Sequence, residues 1–270
     1  MRHRLNEHVG KQFAILAFPM FEAFEAARQH RFSDTQEGRH AYRTWVDYRI
    51  QRIYPFIGRE VRDALGRVNR FDYIVPCLVA LDDRHAFDPK EIDRELRLAL
   101  SGGSALIWIK GDEWIRSTDI AVSALMMDAG LTPRRNRVLV AGSGSGYTSA
   151  VLEDIGFRAV YAVEKIKELV AISEATLSEK CIVNVKIAVG NAASWIEDKG
   201  FFDTILVFAA VSDETVTNTF LEHLHEGGAL VAPIGPPDYC HLYQFVRNSG
   251  APTGYTARYL EYVRFTPFVT

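Results

Sequence analysis

The chain has 270 residues, 48% of them hydrophobic and 24% charged, which is ample material for a large core in one or two globular domains. A formal net charge of −3 gives no global reason to expect a polyanionic partner, so nucleic acid is set aside. No run approaches the roughly 18 consecutive apolar residues that span a bilayer, so a membrane is set aside too.

Near the start, Phe13–Phe21 (FAILAFPMF) follows a partly basic stretch and resembles a short secretory core. Pro19 interrupts it, Glu22 and Glu25 follow at once, and no small-x-small cleavage site comes after, so a signal peptide is not expected. Three scattered cysteines, Cys77, Cys181 and Cys240, match no CxxC pattern. They read as small buried thiols in a reducing, cytoplasmic protein.

Residues 1 to about 100 carry helical periodicity in FEAFEAARQHRF, AYRTWVDYRIQRIYPFI and KEIDRELRLAL. The aromatic residues of the second run read as core, with an interface as the alternative, through which these helices would build a homo-oligomer. SGGS at Ser101–Ser104 punctuates the chain. It divides a helical N-terminal region, 1–100, from a second domain, 101–270. Next comes WIKGDEW, Trp108–Trp114, which reads either as a lid or peptide-binding edge or as packing of a connecting segment.

From Arg137 the pattern changes. RVLVAG, AVYAVE, VNVKIAVG, FDTILVFAAV and GGALVAPIG read as strands, and TSAVLEDIG, ELVAISEATLSEK and TVTNTFLEHL between them as helices. HLYQFVRNSG and ARYLEYVRFTPFV read as two closing strands at an antiparallel edge. The expected fold is α/β: a doubly wound, mostly parallel seven-stranded sheet behind a helical N-terminal region. His223 and His225 share the stretch EHLHEGG, but a spacing of two on a helix points them to different faces, so no metal is expected.

The chemistry concentrates in the loop after the first strand, Gly142-Ser143-Gly144-Ser145-Gly146-Tyr147. A glycine-rich strand-to-helix turn lets backbone N–H groups approach a ligand closely. The dinucleotide fingerprint GxGxxG would need a third glycine where Tyr147 stands. GxGxG instead suits S-adenosyl-L-methionine, which offers no pyrophosphate to cradle. Eighteen residues beyond Gly146, Glu164 ends the second strand, with Lys165 after it. An acid there can accept both ribose hydroxyls. After the third strand, Asn191 either bonds the adenine amino group or is a plain turn residue, while Ala192 and Ile166 could flank the ring.

Taken in order, these motifs resemble the protein-L-isoaspartate O-methyltransferase family. VLVAGSGSGYTSAVL is similar to the family's first motif, VYAVEKIKELV to its ribose motif and NVKIAVGNA to its adenine motif. VRDALGRVNRFDYIVP upstream and VRFTPFV at the end complete a likeness over about 61–270. The resemblance implies methylation of a carboxylate on an isoaspartyl or related residue of a peptide or protein, a repair reaction in this family. Two alternatives stay open: a specialised carboxylate methyltransferase of a modified peptide, and a non-catalytic descendant serving as a binding module.

Departures from the family pattern mark the site. Val140 stands where the family has an acid, Asn191 where it has Asp, and Phe208 where it has a small residue beside the cofactor. The family's Thr-Ile-Ser-x-Pro loop, whose Ser lies beside cofactor and substrate carboxylate, corresponds to WIRSTDIAVSALM. Aligned through Ile115, Arg116 takes the Ser position and Thr118 the Pro position, whereas a one-residue shift restores Ser117. Arg116 reads either as a clamp for a substrate carboxylate through its planar fork or as an ordinary surface arginine.

Overall fold

The computed structural model describes residues 36–85, 89–110 and 113–268. FAILAFPMF and FEAFEAARQHRF lie outside these residues. The chain divides into two compact units, Met1–Ala124 and Leu125–Thr270.

The first unit contains α1 (Gln36–Ile53), α2 (Arg59–Arg67), α3 (Phe71–His85) and α4 (Pro89–Leu100). An antiparallel hairpin of β1 (Leu106–Lys110) and β2 (Glu113–Arg116) follows. α1 stops just ahead of Pro55, whose ring disfavours the helical region for the residue before it. Its buried stripe includes Tyr42, Trp45, Val46 and Ile50. The Tyr42 and Trp45 rings lie 6.1 and 6.4 Å from Phe71. Tyr42 and Trp45 are core, the first of the two readings, whereas Phe56 of the same run is 66% exposed.

α5 (Ile120–Gly130) leads into the second unit, which alternates β3 (Arg137–Ala141), α6 (Tyr147–Ile155), β4 (Ala159–Glu164), α7 (Lys167–Glu179) and β5 (Val185–Val189). It continues with α8 (Ala192–Ile196), β6 (Phe202–Val207), α9 (Glu214–Glu222), β7 (Leu224–Ile234), β8 (Cys240–Arg247) and β9 (Tyr255–Val263). The seven strands lie in the order β5-β4-β3-β6-β7-β8-β9. β3 to β7 run parallel, and β8 and β9 close the sheet antiparallel. The doubly wound fold with an antiparallel edge is therefore present.

Both faces of the central strands are covered, which is why they read as continuous apolar runs rather than as alternation. Leu139, Ala141, Ile205 and Val207 share one core cluster with Ile196, Val216 and Phe220 from α8 and α9. On the opposite face Thr204 donates to Gly130 O at 2.7 Å, closing the end of α5 onto β6. A methyl group on Gly130 would come within 2.6 Å of the Leu206 side chain, which would have to shift to admit it.

Several details differ from the sequence reading. β7 starts at Leu224, so His225 lies in a strand and only His223 sits at the end of α9. The His223 ring is taken by Thr219 O, 2.8 Å from Nδ1. α8 is too short to be legible as a period. Cys77 and Cys240 are buried as expected, with burial pushing the Cys77 thiol up to about 12 and raising Cys240. Cys181 instead is exposed, at φ 56° just past α7. Among the described residues no helix is long and apolar enough to cross a membrane.

At the start of β3, the buried Asp203 carboxylate accepts from the N–H groups of Asn136 (2.8 Å) and Arg137 (3.0 Å). Asp203→Ala leaves both donors without that acceptor and should destabilise the fold by about 1–3 kcal/mol. Urea denaturation would read the loss, and an unchanged midpoint would show that the link is dispensable.

Candidate functional site

In a doubly wound sheet, ligands bind beyond the carboxyl ends of the strands where the strand order reverses. Here the chain winds outward from β3 through β4 to β5, then returns to β6 on the other side of β3. The reversal lies between β3 and β6. The residues singled out from the sequence fall along this edge in strand order: Asn191 after β5, Glu164 at the end of β4, the glycine loop after β3 and Phe208 after β6.

The loop turns sharply because three residues adopt the left-handed region: Gly142 at φ 80°, Gly144 at 54° and Gly146 at 83°. A side chain at any of them would be strained. At Gly142 it would also meet Phe208 O at 3.3 Å, and at Gly146 the Ser173 Cβ at 3.2 Å.

The N–H groups of this loop are largely spent inside the fold. Those of Gly142 and Ser143 donate to Val163 O (2.9 and 3.3 Å), that of Gly146 to Ser143 O (3.0 Å), and that of Gly144 to Glu164 Oε2 (3.0 Å). The expectation that the loop amides reach a ligand is corrected accordingly: four of them shape the turn itself. What the turn offers is bare backbone and one hydroxyl. Ser143 Oγ is buried and has no hydrogen-bond partner, and the residue is 7% exposed.

Glu164 is buried, and its two oxygens accept from Gly144 N–H and from Ile166 N–H (3.1 Å). An ionised carboxylate has about four acceptor positions, so two remain. Ser173, itself fully buried, donates to Gly144 O at 2.8 Å. Gly144 is thus held through both its N–H and its C=O. Ser145 and Tyr147 are buried at the head of α6, and Lys165 is exposed.

At the end of β5 the turn-residue reading of Asn191 describes its oxygen. Oδ1 caps α8, accepting from Ala193 N–H (2.8 Å) and Ser194 N–H (3.3 Å). Ala192 and Ile166 are both buried. Val140 is fully buried in the sheet between Ala162 and Leu206, so no polar group stands there. Phe208 N–H donates to Ala141 O at 2.8 Å and its ring lies edge-on to Phe265 at 6.4 Å. Among the described residues no group of three or more His, Cys, Asp or Glu is placed to hold a metal ion.

The other candidate residues belong to the first unit. Arg116 ends β2 and does grip a carboxylate, but an internal one. Nη1 and Nη2 donate to Glu95 Oε2 and Oε1, each at 2.9 Å, and Nη1 also donates to Ser104 O. The Arg116 fork, expected to clamp an external carboxylate, is thus engaged by Glu95 within the same unit. Glu95 is 4% exposed and also accepts from Leu106 N–H at 2.8 Å.

Ser117 and Thr118 lie in the link between β2 and α5. Ser117 Oγ accepts from Ala105 N–H (3.1 Å) and from Arg70 Nη2 (2.9 Å), and Thr118 O accepts from the same Nη2 at 2.7 Å. Asp119 caps α5 by accepting from Ala121 N–H and pairs with Arg49 at 3.1 Å. Trp108 is buried, as the packing reading of WIKGDEW expects, and Trp114 is 48% exposed.

Sequence reading missed Arg70 and Glu95. Each lies more than ten residues from its partners, inside an ordinary-looking helical pattern. A charge at a position the helical period assigns to the core was the one available signal.

The sequence model of the protein-L-isoaspartate(D-aspartate) O-methyltransferase family matches residues 106–270. Curated relatives of that name include one from Opitutus terrae, 36% identical over 151 residues, which are 54% of this chain and 61% of the relative. Another, from Aeromonas hydrophila, is 39% identical over 132 residues, 49% of this chain and 61% of the relative. The matched part therefore spans about three fifths of these relatives' length. Among solved structures, a protein-L-isoaspartate O-methyltransferase superposes with a TM-score of 0.66 at 19% identity, over 83% of this chain and 65% of that one. A Plasmodium falciparum protein described as a β-aspartate methyltransferase, in complex with S-adenosyl-L-homocysteine, reaches 0.61 at 19% identity, over 84% of this chain and 98% of its own. At such identities these two structures speak for the fold alone.

The ion pair of the first unit makes an ordering testable. Arg116→Met strands a nearly inaccessible carboxylate and should cost about 3–5 kcal/mol. Glu95→Gln should cost less, because the Arg116 side chain is 31% exposed and can turn toward water. Thermal melts of the two variants check the order; equal losses would show that Glu95 is solvated in solution.

Proposed function

Because the chain belongs to the protein-L-isoaspartate(D-aspartate) O-methyltransferase family, we propose that it methylates a carboxylate of an isoaspartyl or related residue in a peptide or protein, with S-adenosyl-L-methionine as donor. The observation that carries the reading is the turn at the strand reversal, with its left-handed glycines, its buried unpartnered Ser143 hydroxyl and the Glu164 carboxylate behind it. Those residues fit the donor molecule. Bare glycine backbone admits close approach, Ser143 offers a hydroxyl whose hydrogen-bonding capacity is unused, and Glu164 keeps acceptor positions for a ribose diol.

The bound donor supplies an electrophilic methyl group on a sulfonium sulfur. A carboxylate is already a nucleophile, so the chain needs no strong general base. Its work is to align oxygen, carbon and sulfur and to keep water away. Glu164, fixed by Gly144 and Ile166, orients the sugar without having to find its own conformation at the moment of binding. Arg116, closed on Glu95, acts by holding β2 in place next to Ser117.

Transfer of labelled methyl to a short isoaspartyl peptide, beside its normal aspartyl twin, tests the whole reading. Labelling of the isoaspartyl peptide alone is expected. Labelling of neither, with S-adenosylhomocysteine still bound, would point to the specialised acceptor, and loss of binding as well would leave a non-catalytic module. Glu164→Ala should weaken S-adenosylhomocysteine binding by about 1.5–3 kcal/mol in calorimetry, the range of a hydrogen bond to a charged group. Unchanged affinity would refute the ribose role.

A further inference from the structure

β8 and β9 close the sheet of the second unit, and the pleat decides which of their side chains share a face. In a regular strand Tyr259 and Tyr262, three residues apart, would point to opposite faces. Here Tyr243 pairs with Tyr259 while Leu242 pairs with Glu261, so Leu260 is an extra residue on β9. Such a bulge shifts the alternation by one and returns Tyr262 to the face of Tyr259. The rings agree, since Tyr259 and Tyr262 both lie against His241, at 5.6 and 6.1 Å. On the other face Leu242 is fully buried and Gln244 donates to Ala129 O at 2.6 Å, so that face packs against the end of α5.

The bulge assembles a continuous aromatic row. Tyr239, just ahead of β8, lies 4.4 Å from Tyr262 and 5.5 Å from His241. Tyr243 lies 5.9 Å from Tyr259 and 5.8 Å from Phe245. At the lower end Phe245 and Tyr255 pack against the core cluster. At the upper end Tyr239, Tyr259 and Tyr262 are 59%, 51% and 36% exposed. Tyr262 is held there by its hydroxyl, which donates to Asp238 O at 3.0 Å.

This upper end lies at the carboxyl ends of the parallel strands, because His241 pairs with Ile234, the last residue of β7. There the row meets the site. Phe265 N–H donates to Pro237 O at 3.2 Å, two residues before Tyr239, and the Phe265 ring lies 6.4 Å from Phe208. Phe208 in turn bonds Ala141, and its carbonyl faces Gly142 at the start of the glycine turn.

We infer that this row is a docking surface for the polypeptide that carries the methylated residue, and that it grips the chain beyond the reacting group. The inference rests on the peptide or protein substrate proposed above. Continuity with the glycine turn is one argument for that occupant. Composition is the other: tyrosine and histidine rings give a rigid, amphipathic surface to a partner that binds and leaves, whereas a permanent dimer face is more apolar. The bulge also speaks against a second copy adding to β9, since a bulged edge is poorly shaped for strand pairing. From Tyr255 to Tyr262 is seven strand steps, roughly 23 Å at about 3.3 Å per residue, which about seven extended residues would cover.

The experiment compares two peptides with a central isoaspartyl residue, one of about 5 residues and one of about 25, the longer reaching well past the row. Full-length wild type should show a KM about tenfold lower for the long peptide, with kcat similar, as when remote contacts add binding common to ground and transition states. In Tyr239→Ser/Tyr259→Ser the advantage of length should vanish, with KM for the short peptide and Kd for S-adenosylhomocysteine unchanged. A wild type that treats both peptides alike overturns the inference. So does a double variant that loses equally on both, or a dimer in sedimentation that the double variant dissolves, which would give the row to a second copy. Should the double variant fail to fold, the two single variants and the wild-type comparison decide in the same way. If neither peptide is methylated, the methyl-transfer reading falls by itself. The row is then judged by fluorescence anisotropy of the labelled long peptide, where equal Kd for wild type and variant overturns it.

Discussion

The carboxylate of Glu164 is the interaction on which the cofactor side of this molecule depends. It closes β4 onto the turn that follows β3 by accepting from Gly144 N–H, and onto the head of α7 by accepting from Ile166 N–H. Two neighbouring strand ends and a helix start are thereby held by one side chain. The turn it holds must pass through left-handed backbone three times within five residues, which only glycine does without strain. Removing the Glu164 carboxylate would free a segment that has little side-chain packing of its own, because glycines have nothing to pack.

That arrangement changes what a glycine-rich loop means here. In a phosphate-binding loop the amides point at the ligand. Here Gly142, Ser143, Gly144 and Gly146 aim theirs at the protein, and the loop's contribution is shape. A donor molecule with a ribose and an amino-acid tail in place of a pyrophosphate has less need of an amide cradle. The buried hydroxyl of Ser143 and the spare acceptor positions of Glu164 are the polar features such a molecule would meet.

The first unit uses charge in an analogous way. Glu95 and Arg70 are each under 5% exposed, and both reach across to the strands and turns of 103–118. Glu95 takes Leu106 N–H and the Arg116 fork, and Arg70 takes Gly103, Ser117 and Thr118. Apolar residues in their places could fill the same volume. They could not satisfy the Leu106 N–H or the Gly103 and Thr118 carbonyls that these two side chains bond.

The sequence alone determined the order of strands and helices after Arg137 except for the short α8, the open-sheet class and the identity of the loop at its centre. Those features are written in local patterns: Val- and Ile-rich runs of strand length, caps such as Gly156 after α6, and glycines at 142, 144 and 146. The same local reading could not say what each polar group would bind, since a hydrogen-bond partner is chosen by the fold and not by the neighbours in the chain. Arg116 looked like a hand held out to a substrate until Glu95, 21 residues earlier, was found in it. Asn191 could have faced a ligand or its own helix, and its oxygen caps the helix. Ser117 and Thr118 were two candidates in an ambiguous loop, and both are approached by Arg70, 47 and 48 residues away. Side chains this far apart in sequence meet only once helices and strands have packed, and that packing is what the tertiary structure decided.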